Sequence, residues 1–170
     1  MIYIIGDTHF GHSLLEGLEY RGEGFEERII KNWNQVVKPG DKVIHLGDFS
    51  LGRYKGASAN KSITIWREKL NGEIILIRGN HDHNPCEWYM KNGFSFCADS
   101  IGMDYRGKKL IFTHEPTQLF EVGQMNIHGH LHGNSHRLEG DLAWYNPGDP
   151  HYLDVSVECI DYKPLSLDSL

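Results

Sequence analysis

The sequence lacks the features typical of membrane, secreted and nucleic-acid-binding proteins. No apolar run is long enough to cross a bilayer, and Met1 leads directly into a strand-like segment rather than into a secretion signal. Lys and Arg number 17 against 23 Asp and Glu, and the net charge of -6 argues against a broad basic surface. We therefore expect a cytoplasmic protein with a small substrate. Nucleic acid remains an alternative, because bound metal ions supply positive charge locally.

Cysteine is scarce, and its positions form no recognisable pattern. The chain has only Cys86, Cys97 and Cys159, an odd number without metal-type spacing, which indicates buried, reduced thiols. Internal repeats, low-complexity tracts and linkers are also missing. A chain of 170 residues is long enough to bury one proper core, so we predict a single domain over residues 1–170.

Short β-branched apolar runs alternate with helical patterns in the first half of the chain. The runs at 1–5, 42–46 and 74–77 are each followed by a polar cluster, as expected for buried strands that end at a turn. Apolar residues spaced three or four apart predict helices over 25–37 and around 63–70. This alternation indicates an α/β fold.

The second half of the chain changes its rhythm. Two strand patterns, 95–105 and 108–112, are separated only by a turn at Arg106-Gly107, which indicates an antiparallel or mixed region. The other predicted elements are a helix that starts at Asn84-Pro85 and ends at Gly93, a short helix within 115–122, strands over 124–127 and 152–157, and an edge element at the tail.

Metal-type side chains follow five of the predicted strands. They are Asp7 and His9, Asp48, Asn80 and His81, His114, and the triplet His128, His130 and His132. In α/β proteins, ligands bind at the carboxyl ends of the strands, which are neighbours in space. We therefore expect these side chains to meet in one pocket.

The chemistry of these side chains favours a pair of divalent metal ions. The donors are nitrogen and oxygen without thiolate, which suits Mn, Fe, Zn, Ni or Co rather than a structural zinc site with cysteine ligands. About seven ligands exceed what one tetrahedral site uses, whereas two ions that share a carboxylate account for them. Two such ions activate a water molecule and hold an in-line displacement at phosphorus.

Three of the candidate ligands also have an ordinary interpretation. Asp7 and Asp48 could be turn-forming residues, and His114 could be a polar residue with a satisfied hydrogen bond. These interpretations require five independent turns to coincide with one ordered set of metal-type residues, so we favour the metal site. His128 is either an outer contact of the site or part of its floor, and His45, inside a strand, is predicted to be packed.

Some loop residues are candidates for contact with a substrate phosphate. His12 follows His9 by three residues, and Arg53 lies in the loop after the second strand; these two are the predicted substrate contacts. Other loop cations are weaker candidates, because most surface cations are merely solvated: Arg21, Lys55 and Arg137.

Five motifs resemble, in order, those of the calcineurin-like metallophosphoesterases. They are Asp7-Thr8-His9, Gly47-Asp48, Gly79-Asn80-His81-Asp82, Thr113-His114 and Gly129-His130-Leu131-His132. The resemblance covers residues 4–132, and two further segments, 7–12 and 154–158, look like those of small bacterial and phage phosphoesterases. It implies two packed mixed β-sheets flanked by α-helices, a four-layer α/β/β/α fold with the site at the strand ends.

The resemblance also implies a role for each residue. One ion would be held by Asp7, His9 and His132, a second by Asn80, His114 and His130, with Asp48 bridging them. His81 would be a catalytic histidine that is not a ligand, and a metal-bridging hydroxide would attack without a covalent enzyme intermediate. Many members carry an acid three residues after the bridging Asp to orient this histidine. Here that position is Leu51, so the orienting partner is left to Asp82 or a backbone carbonyl.

Together these patterns predict a dinuclear-metal phosphoesterase that acts on a small phosphate ester or nucleotide. The short chain and the absence of an obvious cap domain favour a phosphodiester, while a monoester is the open alternative. Two rivals belong to other classes: a non-catalytic module that docks a protein partner, and a single-zinc hydrolase of amides or esters. The number of bound ions distinguishes these hypotheses. The dinuclear phosphoesterase is expected to bind two ions, the docking module none and the single-zinc hydrolase one.

Overall fold

Two β-sheets form the centre of the fold. The computed structural model describes residues 1–12, 14–15, 21–50, 57–119, 121–134 and 140–170. Three of the sequence-based candidates, Arg53, Lys55 and Arg137, lie outside the described residues, as does Leu51. The strands are β1 (Ile2–Ile5), β2 (Lys42–His45), β3 (Glu73–Ile77), β4 (Phe96–Ala98), β5 (Ser100–Tyr105), β6 (Lys108–Thr113), β7 (Gln124–His128), β8 (Tyr152–Asp154) and β9 (Leu165–Ser166). The α-helices are α1 (Phe25–Val36), α2 (Ala57–Glu68) and α3 (Cys86–Lys91).

The first sheet has five strands in the order β4-β3-β2-β1-β9. Strands β1 to β4 are parallel, with Ile4 opposite Ile44 and Ile44 opposite Ile75, while β9 joins β1 in the antiparallel direction. Parallel neighbours require long crossover connections, and α1, α2 and α3 lie within them. The carboxyl ends of β1, β2 and β3 therefore meet at one edge.

The second sheet has four strands in the order β5-β6-β7-β8. Strands β5 and β6 form the antiparallel hairpin predicted around Arg106-Gly107, and β6, β7 and β8 are parallel. The predicted fold class, two mixed sheets with α-helices, is confirmed. The single strand expected over 95–105 is wrong, because the chain leaves the first sheet after Ala98 and enters the second at Ser100. A period-two pattern cannot show such a change of sheet.

The first sheet is buried on both faces, which explains its continuous apolar runs. Tyr3 and Ile5 point into a core that contains Phe25, Ile29, Trp33, Ile63 and Tyr89 from the three helices. The side chain between them, Ile4, points the other way and packs in a second core between the sheets, beside Phe112 and Ile127. The packing of both sheets against each other fixes their strand ends relative to one another.

Several predicted boundaries shift for local reasons. Helix α2 begins at Ala57, well before its first predicted apolar contact at Ile63, because Ala57–Asn60 contains no large apolar residue that would reveal the helical period. The described residues of 115–122 form no helix, and the Thr117 amide donates instead to Asn126 Oδ1 at 3.0 Å. Helix α3 begins at Cys86, since Pro85 is extended and precedes it.

Two expectations from the composition concern the burial of the cysteine thiols and the lack of a membrane-spanning segment. Cys97 is buried, and Cys86 lies half-buried beside it with 2.6 Å between the two Sγ atoms, but Cys159 is exposed, so the prediction of buried thiols is wrong there. Across the described part of the chain, no helix combines the length and the apolar character needed to cross a bilayer.

His45 is a buried histidine, as predicted, and its tautomer follows from its neighbours. Its Nε2 lies 3.0 Å from Thr8 Oγ1, and the Thr8 hydroxyl donates its only proton to the Phe49 carbonyl at 2.7 Å. His45 Nε2 must therefore carry a hydrogen and donate to Thr8. Within the described residues, Nδ1 is buried and has no hydrogen-bond partner. Burial lowers the pKa of His45 to about 3.

This shift predicts a loss of stability in acid. Between pH 6.5 and 3 the unfolded His45 binds a proton that the folded one does not, so the free energy of unfolding falls by up to about 1.4 kcal/mol per pH unit on that account. His45→Gln keeps an N–H near Thr8 but cannot be protonated. The free energy of unfolding, measured by urea denaturation between pH 7 and 5, should fall less steeply with decreasing pH in the variant than in the wild type. Equal slopes would contradict the neutral state assigned to His45.

Candidate metal centre

The site lies where strands of both sheets end. The predicted ligands follow β1, β2 and β3 of the first sheet and β6 and β7 of the second: Asp7 and His9, Asp48, Asn80, His114, and His130 and His132. All seven are among the described residues. The structure brings them together, as the sequence predicted, in two groups with Asp48 between them.

The first group consists of Asp7, His9 and His132. One ligand atom from each lies within 4.8 Å of the others. His132 Nε2 is 3.4 Å from Asp7 Oδ1 and 3.3 Å from His9 Nε2. Asp7 Oδ1 is buried and, among the described residues, has no hydrogen-bond donor. A buried carboxylate oxygen that faces two imidazole nitrogens is a donor set that fits a divalent cation.

The protonation preferences of this group also suit a cation. Burial raises the pKa of Asp7 to about 8, partly offset by His132 and reinforced by Asp48. Burial, followed by the influence of His132, lowers the pKa of His9 well below its usual value. His9 is therefore neutral at pH 7, which is the form that binds metals. A cation would supply the charge that ionised Asp7 requires in this buried position.

The second group consists of Asn80, His114 and His130. His114 Nε2 is 3.0 Å from Asn80 Oδ1 and 3.1 Å from His130 Nδ1, which in turn lies 3.2 Å from the same Asn80 oxygen. His114 Nδ1 lies 2.8 Å from the Leu46 carbonyl and must donate to it. The Nε2 of His114 is therefore left as a lone pair directed at the cluster, as in a metal-binding histidine.

Asp48 lies between the two groups. Its Oδ2 is 3.4 Å from His9 Nε2 on one side, and its Oδ1 is 3.6 Å from His114 Nε2 on the other. Asp7, Asp48 and His114 also form a set of ligand atoms within 4.8 Å. Each oxygen of Asp48 therefore faces one group, a position from which a carboxylate could bridge two ions.

The backbone around the ligands is held in an unusual conformation. Asp7, His9, Asp48, His130 and His132 all have positive φ angles, between 47° and 69°. Residues other than glycine adopt this conformation at a cost, and such residues cluster at functional sites. The neighbouring Gly79 and Gly129 permit the close approach, because a Cβ on either would lie 2.1 Å from a carboxylate oxygen of Asp48 or Asp7.

Gly79→Ala should therefore disrupt the centre. The new Cβ would collide with Asp48 Oδ1 at 2.1 Å and with the Asp48 amide nitrogen at 2.5 Å, so Asp48 must move. We expect metal affinity, measured by isothermal titration calorimetry, to fall at least about tenfold, as for other disturbances of ligand orientation. Gly40→Ala is a matched control, since a Cβ there meets nothing within 4 Å. Equal affinity in both variants would contradict the role of Gly79.

Asp82 does not orient His81, contrary to one of the sequence-based alternatives. Its Oδ2 accepts from the amides of Asp48 at 2.7 Å and Gly79 at 2.9 Å, and its Oδ1 accepts from Phe49 at 3.3 Å. A carboxylate occupied by backbone amides of two loops holds those loops together. Burial raises the pKa of Asp82 to about 6, although these hydrogen bonds act in the opposite direction and lower it.

His81 lies at the mouth of the site. Its side chain is about a third exposed, and its Nε2 is 3.8 Å from Asp48 Oδ2. Its ring meets the ring of His9 edge-on, with 5.4 Å between centroids. This placement agrees with a residue that can reach both the ligand cluster and a substrate, while its catalytic role stays a prediction.

The remaining histidines fall into different positions. The His12 ring is 5.8 Å from that of His9, near the mouth, and its pKa is lowered by burial and then by His81. A contact between His12 and substrate stays a prediction. His128 is fully buried and lies 3.0 Å from the Tyr145 hydroxyl and 2.9 Å from the Gly129 carbonyl, so it belongs to the interior rather than to the open pocket.

Sequence reasoning missed a buried ion pair behind His132. Arg21 was expected to be a loop cation that could meet phosphate, but it is buried and donates to Glu158 Oε1 at 2.7 Å. The same Glu158 oxygen lies 3.0 Å from His132 Nδ1. The only sequence signal was the segment 154–158 that ends in Glu158, whose resemblance to small phosphoesterases did not indicate this contact.

Known proteins resemble this chain over nearly its whole length. The sequence profile of the calcineurin-like phosphoesterase superfamily domain matches residues 1–159. Uncharacterized protein MJ1445 of Methanocaldococcus jannaschii is 37% identical over 175 residues, which cover 98% of this chain and 87% of that protein. The crystal structure of AQ665, a protein of unknown function from Aquifex aeolicus, is 29% identical with a TM-score of 0.74, over 99% of this chain and 96% of that one.

A further similarity is more distant. The structure of an archaeal phosphodiesterase is 22% identical with a TM-score of 0.49, over 91% of this chain and 81% of that one, which is too weak to bear on substrate choice.

Proposed function

The chain belongs to the calcineurin-like phosphoesterase superfamily, and from that premise we propose that it hydrolyses small phosphodiesters with two divalent metal ions. Membership makes it a metal-binding hydrolase that acts on phosphate esters. The number of ions and the preference for diesters are the proposed refinements. The observation that carries the first refinement is the position of Asp48, one oxygen of which faces each ligand group.

We assign the ligands by their groups. Asp7, His9 and His132 would hold one ion, Asn80, His114 and His130 the other, and Asp48 would contact both. Two ions held in this way lower the pKa of a water molecule and stabilise the attacking and leaving oxygens of an in-line displacement. The nitrogen and oxygen donors suit Mn, Fe, Zn, Ni or Co.

His81 supplies the protein's own proton chemistry in this proposal. Its ring lies at the mouth and outside both ligand groups, so it can donate a proton to the leaving oxygen or a hydrogen bond to the phosphoryl oxygens. The His81 amide donates to Asp48 Oδ1 at 2.9 Å, which fixes the backbone of His81 against the ligand cluster. His12, on the other side of His9, would contact the substrate.

The charge of the described site supports a diester. A phosphodiester carries one negative charge, whereas a monoester carries nearly two at neutral pH and gains more from additional cationic side chains. In the described part of the site the arginine nearest the ligands is Arg21. Its guanidinium is buried against the carbonyls of Asp7 and Thr8 and the carboxylate of Glu158. Histidines line the mouth instead.

We also propose that residues 1–170 act as one domain. Strand β1, near the start of the chain, pairs with β9, near its end, and Leu167 packs in the core between the sheets. Both ends of the chain thus belong to the same packed body. The cytoplasmic location stays a prediction.

The test is a comparison of two chromogenic esters. Bis-p-nitrophenyl phosphate and p-nitrophenyl phosphate would each be incubated with the protein, with added Mn²⁺ or with chelator. We expect metal-dependent hydrolysis with a kcat/KM for the diester at least about tenfold above that for the monoester, a difference of about 1.4 kcal/mol in transition-state stabilisation. Faster hydrolysis of the monoester would make the protein a phosphatase. Two bound ions without turnover of either would indicate a pocket selective for another ester, whereas protein without bound metal and without turnover would favour a protein-docking module.

A further inference from the structure

We propose that Glu158, held in place by Arg21, is a positioning residue that orients His132 as a metal ligand. The inference rests on the metal centre of the proposed function, and it concerns the affinity of that centre for one particular ion. No sequence motif assigned a role to either residue. Both lie far from His132 in the chain, and their contacts with it arise only in the folded structure.

The two ring nitrogens of His132 face different partners. Nδ1 lies 3.0 Å from Glu158 Oε1, whereas Nε2 lies 3.4 Å from Asp7 Oδ1 and 3.3 Å from His9 Nε2. A carboxylate can only accept a hydrogen bond, so Nδ1 carries the hydrogen. Nε2 then presents its lone pair to the ligand group of Asp7 and His9. A carboxylate in this position fixes both the tautomer and the ring orientation of a metal-binding histidine.

Arg21 fixes Glu158 in turn. Its side chain is fully buried, and its Nε donates to Glu158 Oε1 at 2.7 Å. Its terminal nitrogens donate to the carbonyls of Asp7 at 2.6 Å and Thr8 at 3.0 Å. One of them also lies 3.3 Å from His132 Nδ1, but it has the shorter bond to Asp7. Arg21 therefore ties the carboxylate to the loop that carries Asp7.

The backbone of His132 is held by the same segment. The His132 amide donates to Ser156 Oγ at 3.2 Å, and the Ser156 hydroxyl donates to Asp154 Oδ1 at 2.6 Å. Ser156 and Glu158 flank Val157, which is buried in the first core. Residues 156–158 thus hold both the backbone and the ring of His132, and this segment determines the orientation of the imidazole.

The other ligand group is oriented differently. His114 Nδ1 donates to the main-chain carbonyl of Leu46 at 2.8 Å, an acceptor that no side-chain substitution removes. Loss of the Glu158 carboxylate should therefore weaken the ion at Asp7, His9 and His132 and leave the ion at Asn80, His114 and His130 nearly unchanged. This selectivity distinguishes a positioning role from general support of the fold, which would weaken both ions.

The experiment measures ion binding by calorimetry and by the visible spectrum of bound Co²⁺. In Glu158→Ala we expect the affinity for one of two ions to fall about 10- to 100-fold, the usual effect of losing such a partner, with the second within about twofold. Glu158→Gln, whose amide oxygen still accepts from Nδ1, should lie between Glu158→Ala and the wild type. Glu121→Gln is the matched control, since Glu121 is an exposed carboxylate paired with Lys109.

Excess metal provides a second readout. Turnover of bis-p-nitrophenyl phosphate by Glu158→Gln should approach the wild-type kcat at saturating Mn²⁺, because only affinity is impaired. Equal weakening of both ions, or binding unchanged from wild type in both Glu158 variants, would overturn the inference. A different result would contradict the proposed function, namely wild-type protein that binds two ions but does not hydrolyse the diester. In that case the comparison of ion binding between the Glu158 variants and the wild type would still test the positioning role.

Discussion

Asp48→Asn is expected to remove hydrolysis and to weaken the binding of both ions. Each oxygen of Asp48 faces a different ligand group, at 3.4 Å from His9 Nε2 and 3.6 Å from His114 Nε2. An asparagine replaces one oxygen with an amide nitrogen that cannot coordinate a cation, and it removes the negative charge that the two proposed ions would share. A loss of several kcal/mol of transition-state stabilisation corresponds to a fall in kcat/KM of about a thousandfold or more.

A control at the other end of the same strand makes this result specific. Asp41 immediately precedes β2, and its carboxylate binds the amino terminus at 2.6 Å rather than the site. Asp41→Asn should keep both ions and the wild-type rate. Metal content would be measured by plasma mass spectrometry after gel filtration. An Asp48→Asn protein with two ions and a normal rate would show that Asp48 does not bridge.

His81→Ala is expected to show the opposite combination, with metal binding preserved and turnover lost. The His81 ring belongs to neither ligand group and is about a third exposed, so its removal leaves the ligands in place. Removal of a positioned acid or hydrogen-bond donor lowers kcat by about 100- to 10,000-fold. Calorimetry should show both ions bound within about twofold of the wild-type affinity, a difference below about 0.5 kcal/mol.

The leaving group tells whether His81 donates a proton. p-Nitrophenolate leaves without protonation, so His81→Ala should impair a methyl or phenyl diester more than the nitrophenyl diester. His83→Ala is the control, because His83 is exposed and its ring centroid lies 6.4 Å from that of His81. Loss of an ion from His81→Ala would make His81 a ligand and overturn its assignment.

The ligand loops also hold each other in place. The His130 amide donates to Asp7 Oδ2 at 2.9 Å, the His81 amide donates to Asp48 Oδ1 at 2.9 Å, and Asp82 accepts from the amides of Asp48 and Gly79. Backbone donors thus fix the carboxylates before any cation binds. Such preorganisation is the condition under which electrostatic stabilisation of a transition state is most effective.

The meeting of the candidate ligands in one place could be predicted from the sequence because its signals are local. Apolar runs that stop at a turn place Asp7, Asp48 and Asn80 at strand ends, and parallel strands bring those ends together. The strand and helix order of the first sheet follows from the same alternation. The burial of this sheet on both faces agrees with its apolar runs, which do not alternate between apolar and polar residues.

The remaining features depend on contacts that no local pattern records. Glu158 meets His132 across 26 residues and Arg21 across 137, and nothing in the spacing of these residues indicates either pair. Asp82 could have faced His81 next to it, but the backbone amides of Asp48 and Phe49 hold its carboxylate. The break at Asp99 is another such feature, because β4 pairs in the first sheet and β5 in the second.

The most direct test of the two-ion centre is an anomalous difference map from crystals of the protein grown with Mn²⁺. We predict two peaks roughly 3.5–4 Å apart, as in other two-metal sites. One should contact Asp7, His9 and His132, the other Asn80, His114 and His130, and both should contact Asp48. A single peak at saturating Mn²⁺, or two peaks of which only one touches Asp48, would contradict the account.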